Sequence, residues 1–287
     1  DDVESRGLGD VYKRQVNMIT YLCRSFYNKI GGKTMRFKIN LEVQSSNEEI
    51  EIPIKYQSIF LSLLKRGLEN AAPEVYKELY EKNKEKLFSQ AIIFKGAKFE
   101  KEKIILKTPS ITYLFSTPKA DLAMAVYNAF IYLKEMKTVP FAGGIKLRVK
   151  SVSTIYQETI TEKQVVFQAV SPILARDHNR ETRKDWFLDF SDEKYESVLK
   201  QNLINRLAPE MGQGISYDIN NLKMKPLNMK KTVTKAYEKF YQGAIGTIEL
   251  TGEPYLLNVI RDVGLGSKTG LYFGYLNQVK QGGDSNG

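Results

Sequence analysis

Val263-Gly264-Leu265-Gly266-Ser267-Lys268-Thr269-Gly270-Leu271-Tyr272-Phe273-Gly274-Tyr275 lies near the end of the chain. It reads as the close of a short helix, a glycine-rich turn and the opening of a last strand. The helix starts at Glu253-Pro254 and turns Leu256, Leu257 and Ile260 inward. It stops at Gly264, where a left-handed cap suits a residue without Cβ. The last strand is expected from Leu271 to Val279. Upstream, strands are expected from Ile245 to Leu250 and around Ile215 to Met224, after a helix carrying Tyr195, Val198, Leu199, Leu203 and Leu207. Strands near Trp186 to Phe190 and from Val165 to Val170 begin this half.

The first half shows the same order of elements. Phe37, Ile39, Leu41 and Val43 alternate with Lys38, Asn40 and Glu42, the pattern of a half-buried strand. Tyr56, Ile59, Phe60, Leu63, Leu64 and Leu68 follow helical spacing, and a second helical piece runs from about Pro73 to Lys82. Strands from Ala91 to Phe94, Ile104 to Leu106 and Ile111 to Phe115 come next. A helix with Leu122, Val126, Phe130 and Leu133 inside then ends before Pro140, and Ile145, Leu147 and Val149 mark another alternating strand. Each half therefore reads β-α-β-β-α-β. The expected fold is α+β, with tandem ferredoxin-like domains at residues 35–155 and 156–280. Residues 1–34 read as a non-native or disordered leader, since Ser5 to Gln15 looks like translated linker and Met35 makes a natural start. Residues 281–287 read as a disordered tail.

With 42% hydrophobic residues, a chain of 287 can bury a sizeable core. Its 43 basic and 33 acidic side chains leave a net charge of +10, which favours a polyanionic partner: RNA, DNA or anionic lipid. The one cysteine, Cys23, forms no internal disulfide, and with one histidine it cannot assemble the usual zinc ligand sets. A reducing, cytoplasmic setting is expected. No run approaches the roughly 18–20 apolar residues of a membrane-spanning helix, so membrane insertion is not expected.

Glycines around Lys268 let backbone N–H groups approach a phosphate beside a positive charge, although a plain cap and turn give a similar string. Nucleotide loops fail on spacing and polarity. A phosphate loop needs Gly-Lys-Ser/Thr where the order here is Gly266-Ser267-Lys268-Thr269. A dinucleotide fingerprint runs strand, loop, helix, whereas this loop follows a helix and feeds a strand.

The arrangement resembles the C-terminal signature of the RAMP-type CRISPR repeat-processing endoribonucleases, in which glycine-hydrophobic-glycine is followed by five residues and a second such triplet. Gly264-Leu265-Gly266 matches the first triplet, Ser267 to Leu271 the spacer, and Tyr272-Phe273-Gly274 the second, with tyrosine where the family usually has glycine. The likeness extends through Gly243-Ala244-Ile245-Gly246 and Leu250-Thr251-Gly252-Glu253-Pro254. It implies the double ferredoxin-like fold, no metal, no cofactor, and cleavage of CRISPR repeat RNA by attack of a ribose 2′-hydroxyl on the adjacent phosphate. Repeat RNA is the implied partner, with other CRISPR effector subunits or a second copy of the chain as further ones. The alternative it implies is a non-catalytic RNA-binding subunit of an effector complex.

Such a cleavage needs a base, an acid and positive charge near the phosphate. Family members commonly place a histidine near the end of the first helical region, and that place here reads Leu79-Tyr80. Tyr80 is a candidate on that ground. A hydroxyl titrating near 10 is a poor base at neutral pH, and Tyr76 and Tyr80 at i and i+4 suit a packed pair at least as well. The single histidine, His178, falls in Arg176-Asp177-His178-Asn179-Arg180-Glu181-Thr182-Arg183-Lys184, expected as an exposed basic loop between strands. His178 is the leading acid–base candidate, with Lys184 beside it and Arg176, Arg180 and Arg183 for the phosphate. RNA binding is expected at Gly264, Gly266, Lys268 and Gly274. It is also expected at Lys146 and Arg148, which share a strand face with Lys150, although a solvated face explains that strand at least as well. A second cluster is Lys223, Lys225, Lys230, Lys231 and Lys235, with Tyr237 and Tyr241 as stacking partners.

Overall fold

The computed structural model describes residues 35–45, 49–81, 86–141, 144–179 and 181–279. The leader at 1–34, the tail at 281–287 and Arg180 lie outside them.

The first half runs β1 (Met35–Gln44), β2 (Ile50–Pro53), α1 (Tyr56–Ala71), α2 (Pro73–Tyr80), β3 (Ser89–Phe94), β4 (Lys98–Phe99), β5 (Lys103–Leu106), β6 (Ser110–Thr117), α3 (Ala120–Glu135), β7 (Val139–Pro140) and β8 (Lys146–Thr154). Its main sheet has the order β3-β6-β1-β8-β7, antiparallel throughout. Strands β1, β3, β6 and β8 with α1 and α3 form the ferredoxin-like unit. Alternation on β1 sends Phe37, Ile39, Leu41 and Val43 into one core with Phe60 and Leu64 of α1 and Val126 and Phe130 of α3. Each such side chain contributes about 1.5–3 kcal/mol by leaving water. The run from Ile104 to Leu106 is a strand, but it lies outside this sheet and joins β2 and β4 in a separate three-stranded one. Local alternation specifies a strand without specifying its partner.

The second half runs β9 (Gln164–Ala169), β10 (Ala175–Asn179), β11 (Lys184–Leu188), α4 (Tyr195–Met211), α5 (Ile215–Asn221), β12 (Lys223–Ala236), β13 (Lys239–Thr251), α6 (Pro254–Val263) and β14 (Leu276–Gln278). Its sheet order, β12-β13-β9-β14, repeats the arrangement of the first half. Three sequence expectations need correction. The strand around Ile215 is the helix α5, because Ile215 and Ile219 are buried at helical spacing, and the strand begins only at Lys223. The strand near Trp186 pairs with β10 in a two-stranded ribbon outside the sheet. The last strand is shortened to Leu276–Gln278, because Thr269–Leu271 forms a 3-10 turn instead.

The halves are joined by polar groups buried between them. Arg36 of β1 is buried, and its guanidinium donates to Tyr275 Oη at 3.0 Å, to the Leu276 carbonyl at 2.7 Å and to Asn277 Oδ1 at 2.9 Å. Helix α6 is buried along its length after Pro254, and Asn258 ties it to Ile160 through both its amide nitrogen and its oxygen. Among the described residues no helix is long and apolar enough to cross a membrane.

Candidate functional site

The glycine-rich turn is a packed joint. At Gly264 the chain takes φ 80° and ψ 172°, a glycine region rather than the left-handed cap expected, and the Leu265 N–H then donates to the Gly274 carbonyl at 2.9 Å. Gly274 has φ 66°, and a Cβ there would stand 2.0 Å from the Leu265 oxygen. Gly264 and Gly274 therefore serve mutual backbone approach, and their carbonyl and N–H groups are spent on the protein itself. The Gly274 N–H reaches the Pro172 carbonyl and the Ser267 N–H the Leu174 carbonyl, both at 2.9 Å. Tyr272, at the position where glycine was expected, adopts φ 68° and ψ 36°. Its ring enters the core of the first half, edge-on to Tyr113 at 5.8 Å between centroids. The turn so joins the two domains.

Arg206 of α4 organises the turn from beneath. It is buried and donates to the carbonyls of Gly264 and Gly266 and to Thr269 Oγ1, the last two at 3.1 and 3.0 Å. Thr269 in turn donates to the Phe88 carbonyl at 2.8 Å, and the Gln90 amide donates to the Gly270 carbonyl at 2.6 Å. This scaffold holds Lys268 at φ 57° and sets its ammonium 5.5 Å from the centroid of the Tyr241 ring.

Above the turn opens a groove of about 990 Å³, whose lining includes Lys86, Arg176, His178, Asn202, Gly266 and Lys268. His178 lies on β10, not in a loop, directly opposite Asp185 of β11. His178 Nδ1 and Asp185 Oδ1 are 2.7 Å apart, and Arg176 Nε donates to the same oxygen at 2.8 Å. Burial raises the Asp185 carboxyl, but the hydrogen bonds from Arg176 and His178 outweigh it and hold the group below its ordinary value. A carboxylate on Nδ1 selects the tautomer that leaves Nε2 as a proton acceptor. Phe187, on the same ribbon face, packs edge-on to Tyr241 at 5.2 Å, and Tyr241 meets Phe273 at 5.6 Å. One aromatic wall thus runs from the ribbon to the ring that meets the Lys268 ammonium.

The other expected residues are dispersed. Tyr80 packs against Tyr76 with the rings tilted by 45° at 5.5 Å between centroids, and is flanked by the ammonium groups of Lys65 and Lys86, 4.6 and 4.3 Å from its ring centroid. Its hydroxyl is buried without a hydrogen-bond partner among the described residues, and burial, with Tyr237 and Tyr76 adding, drives its pKa up. A buried hydroxyl shifted in that direction is a poor base at neutral pH. Lys184 pairs with Asn179, so strand alternation points it away from His178 and out of the catalytic grouping. Lys223, Lys225, Lys230 and Lys231 are exposed on the edge strand β12, with Lys231 bound to Asp189 at 3.0 Å, while Lys235 pairs with Glu102 at 2.9 Å. Lys146 and Arg148 are exposed on β8 of the first sheet. Asp185, Arg206 and Lys86 were missed in the sequence. Their roles come from cross-strand register and from contacts between the halves, and no local spacing signals either. Among the described residues no three His, Cys, Asp or Glu side chains converge as metal ligands.

The chain thus consists of two ferredoxin-like units joined through a glycine-rich turn, with a cationic groove beside it. Residues 155–278 match the family described as CRISPR associated protein Cas6, C-terminal. The chain is 23% identical over 251 residues to the CRISPR-associated endoribonuclease-like protein Cas6nc of Pyrococcus horikoshii, covering 86% of this chain and all of that protein. Its fold is similar to that of a protein from a Cas6-related gene of Pyrococcus furiosus (TM-score 0.74, 18% identity, 87% of this chain and all of that one). It is also similar to a RAMP protein described as binding different RNA substrates (TM-score 0.72, 20% identity, 86% of this chain and all of that one).

Proposed function

We propose that the protein binds CRISPR repeat RNA in the His178 groove and cleaves it without a metal, in a reducing, cytoplasmic setting. The observation that carries the reading is the His178–Asp185 pair at 2.7 Å in a groove lined by Arg176, Lys86 and Lys268. With its Nδ1 proton held by Asp185, His178 Nε2 takes the proton of a ribose 2′-hydroxyl. The 2′-oxygen forms a bond to the adjacent phosphorus, the bond from phosphorus to the 5′-oxygen breaks, and the leaving oxygen takes a proton from a groove ammonium or water. The cations stabilise the charge that develops on the phosphoryl oxygens. The test is incubation with repeat RNA in EDTA: a 2′,3′-cyclic phosphate end supports cleavage, and intact RNA overturns it.

A second reading, a non-catalytic RNA-binding subunit of an effector complex, is favoured by Tyr80, which stands where the family commonly has histidine and whose hydroxyl is buried. RNA that stays intact yet bound tightly in the same assay would select it.

A further inference from the structure

Trp186 is the one tryptophan of the chain, and it stands 73% exposed on β11. So large a ring is rarely left bare, since few side chains gain more by burial. Strand alternation gives the ribbon two faces. Arg176, His178, Asp185 and Phe187 share one, and Asp177, Lys184 and Trp186 share the other. Asp177 is the cross-strand neighbour of Trp186, a relation that sets Cβ atoms about 4.5–5.5 Å apart. Asp177 also lines the groove, so the outer face begins where the groove ends. Asn179 on that face is occupied, because its Oδ1 accepts the N–H groups of Glu181 and Thr182 at 2.9 Å.

Resting on the RNA reading above, we propose that Trp186 stacks one unpaired RNA base as the strand leaves the groove, while Asp177 accepts a hydrogen bond from that base's exocyclic amine. Lys184, exposed on the same face, takes a neighbouring phosphate. Stacking on the indole tolerates any base. The carboxylate does not: adenine and cytosine offer an amino donor, whereas uracil turns a carbonyl oxygen toward it. The occupant is a single strand, because a paired base has no free face. A protein partner fits less well, since this ribbon face has no second exposed apolar side chain from which to build an interface core.

Because the chain has no other tryptophan, fluorescence excited at the red edge of indole absorption, where its 17 tyrosines do not absorb, reports this position alone. The experiment titrates short oligoadenylate, oligocytidylate and oligouridylate, following Trp emission alongside the anisotropy of an end-labelled copy of each RNA. Emission should be quenched as binding saturates, with adenine and cytosine tracts bound more tightly than uracil. Trp186→Ala should weaken binding about tenfold, and Trp186→Phe should retain most of it. Asp177→Asn should narrow the preference against uracil while quenching persists. Emission that stays constant while anisotropy saturates, or a Trp186→Ala variant as tight as wild type, would overturn the stack, assign the ring to a protein contact and leave the groove reading standing. No anisotropy change with any RNA, repeat RNA included, would sink both.

Discussion

His178 and Asp185 together set the first expectations at the scale of single residues. His178→Ala should lower the cleavage rate by about 10²–10⁴, measured in single turnover with repeat RNA, while RNA affinity falls far less. Asp185→Asn should cost about 10²-fold or more, because an amide does not select the Nδ1-protonated ring. Since the folded Asp185 pKa lies below its unfolded value, its stabilisation is fully present above the unfolded carboxylate pKa and is lost as pH falls through the lower folded one. The side chain is 31% exposed, so solvent screening keeps that contribution small. Tyr80→Phe should cleave at the wild-type rate and be no less stable by denaturant titration, since the hydroxyl it removes is buried without a hydrogen-bond partner among the described residues. A large rate loss in that variant would restore Tyr80 to the catalytic set.

Among the elements, the glycine-rich turn and the ribbon behave differently. The turn is held by Arg206, whose loss leaves two carbonyls and the Thr269 hydroxyl without their buried donor. Arg206→Met should destabilise the fold by about 3 kcal/mol or more by chemical denaturation. Gly274→Ala should do comparable damage, since its Cβ would meet the Leu265 oxygen at 2.0 Å and φ is 66°. The spacing of the glycines was legible in the sequence because close backbone approach admits no other residue. Their use was not, because a string of glycines is silent on whether a phosphate or a second strand of the same chain makes that approach. The ribbon was illegible for another reason. Its residues alternate too irregularly in hydropathy to mark a strand, so Arg176 to Lys184 reads as a loop, and the pairing that sets His178 against Asp185 exists only in register.

For the whole molecule, a net charge of +10 and a groove lined by Arg176, Lys86 and Lys268 imply binding that weakens with salt. Three phosphate contacts on a single strand give a slope of about −2 in log affinity against log salt concentration. A flat response would count against the groove. The two repeats of β-α-β-β-α-β were determined by the sequence alone, because alternation and helical spacing are local properties that survive without knowledge of the partner. The basic character of the chain and the glycine signature were equally its own. The tertiary structure decided what these parts do for one another. It buried Tyr272 in the opposite domain, sealed the Tyr80 hydroxyl from water, and brought β10, the glycine-rich turn and Lys86 to one groove. Those placements depend on residues far apart in the chain, such as Phe88 and Thr269 at a separation of 181, and contacts at such separation leave no periodicity in the sequence to read.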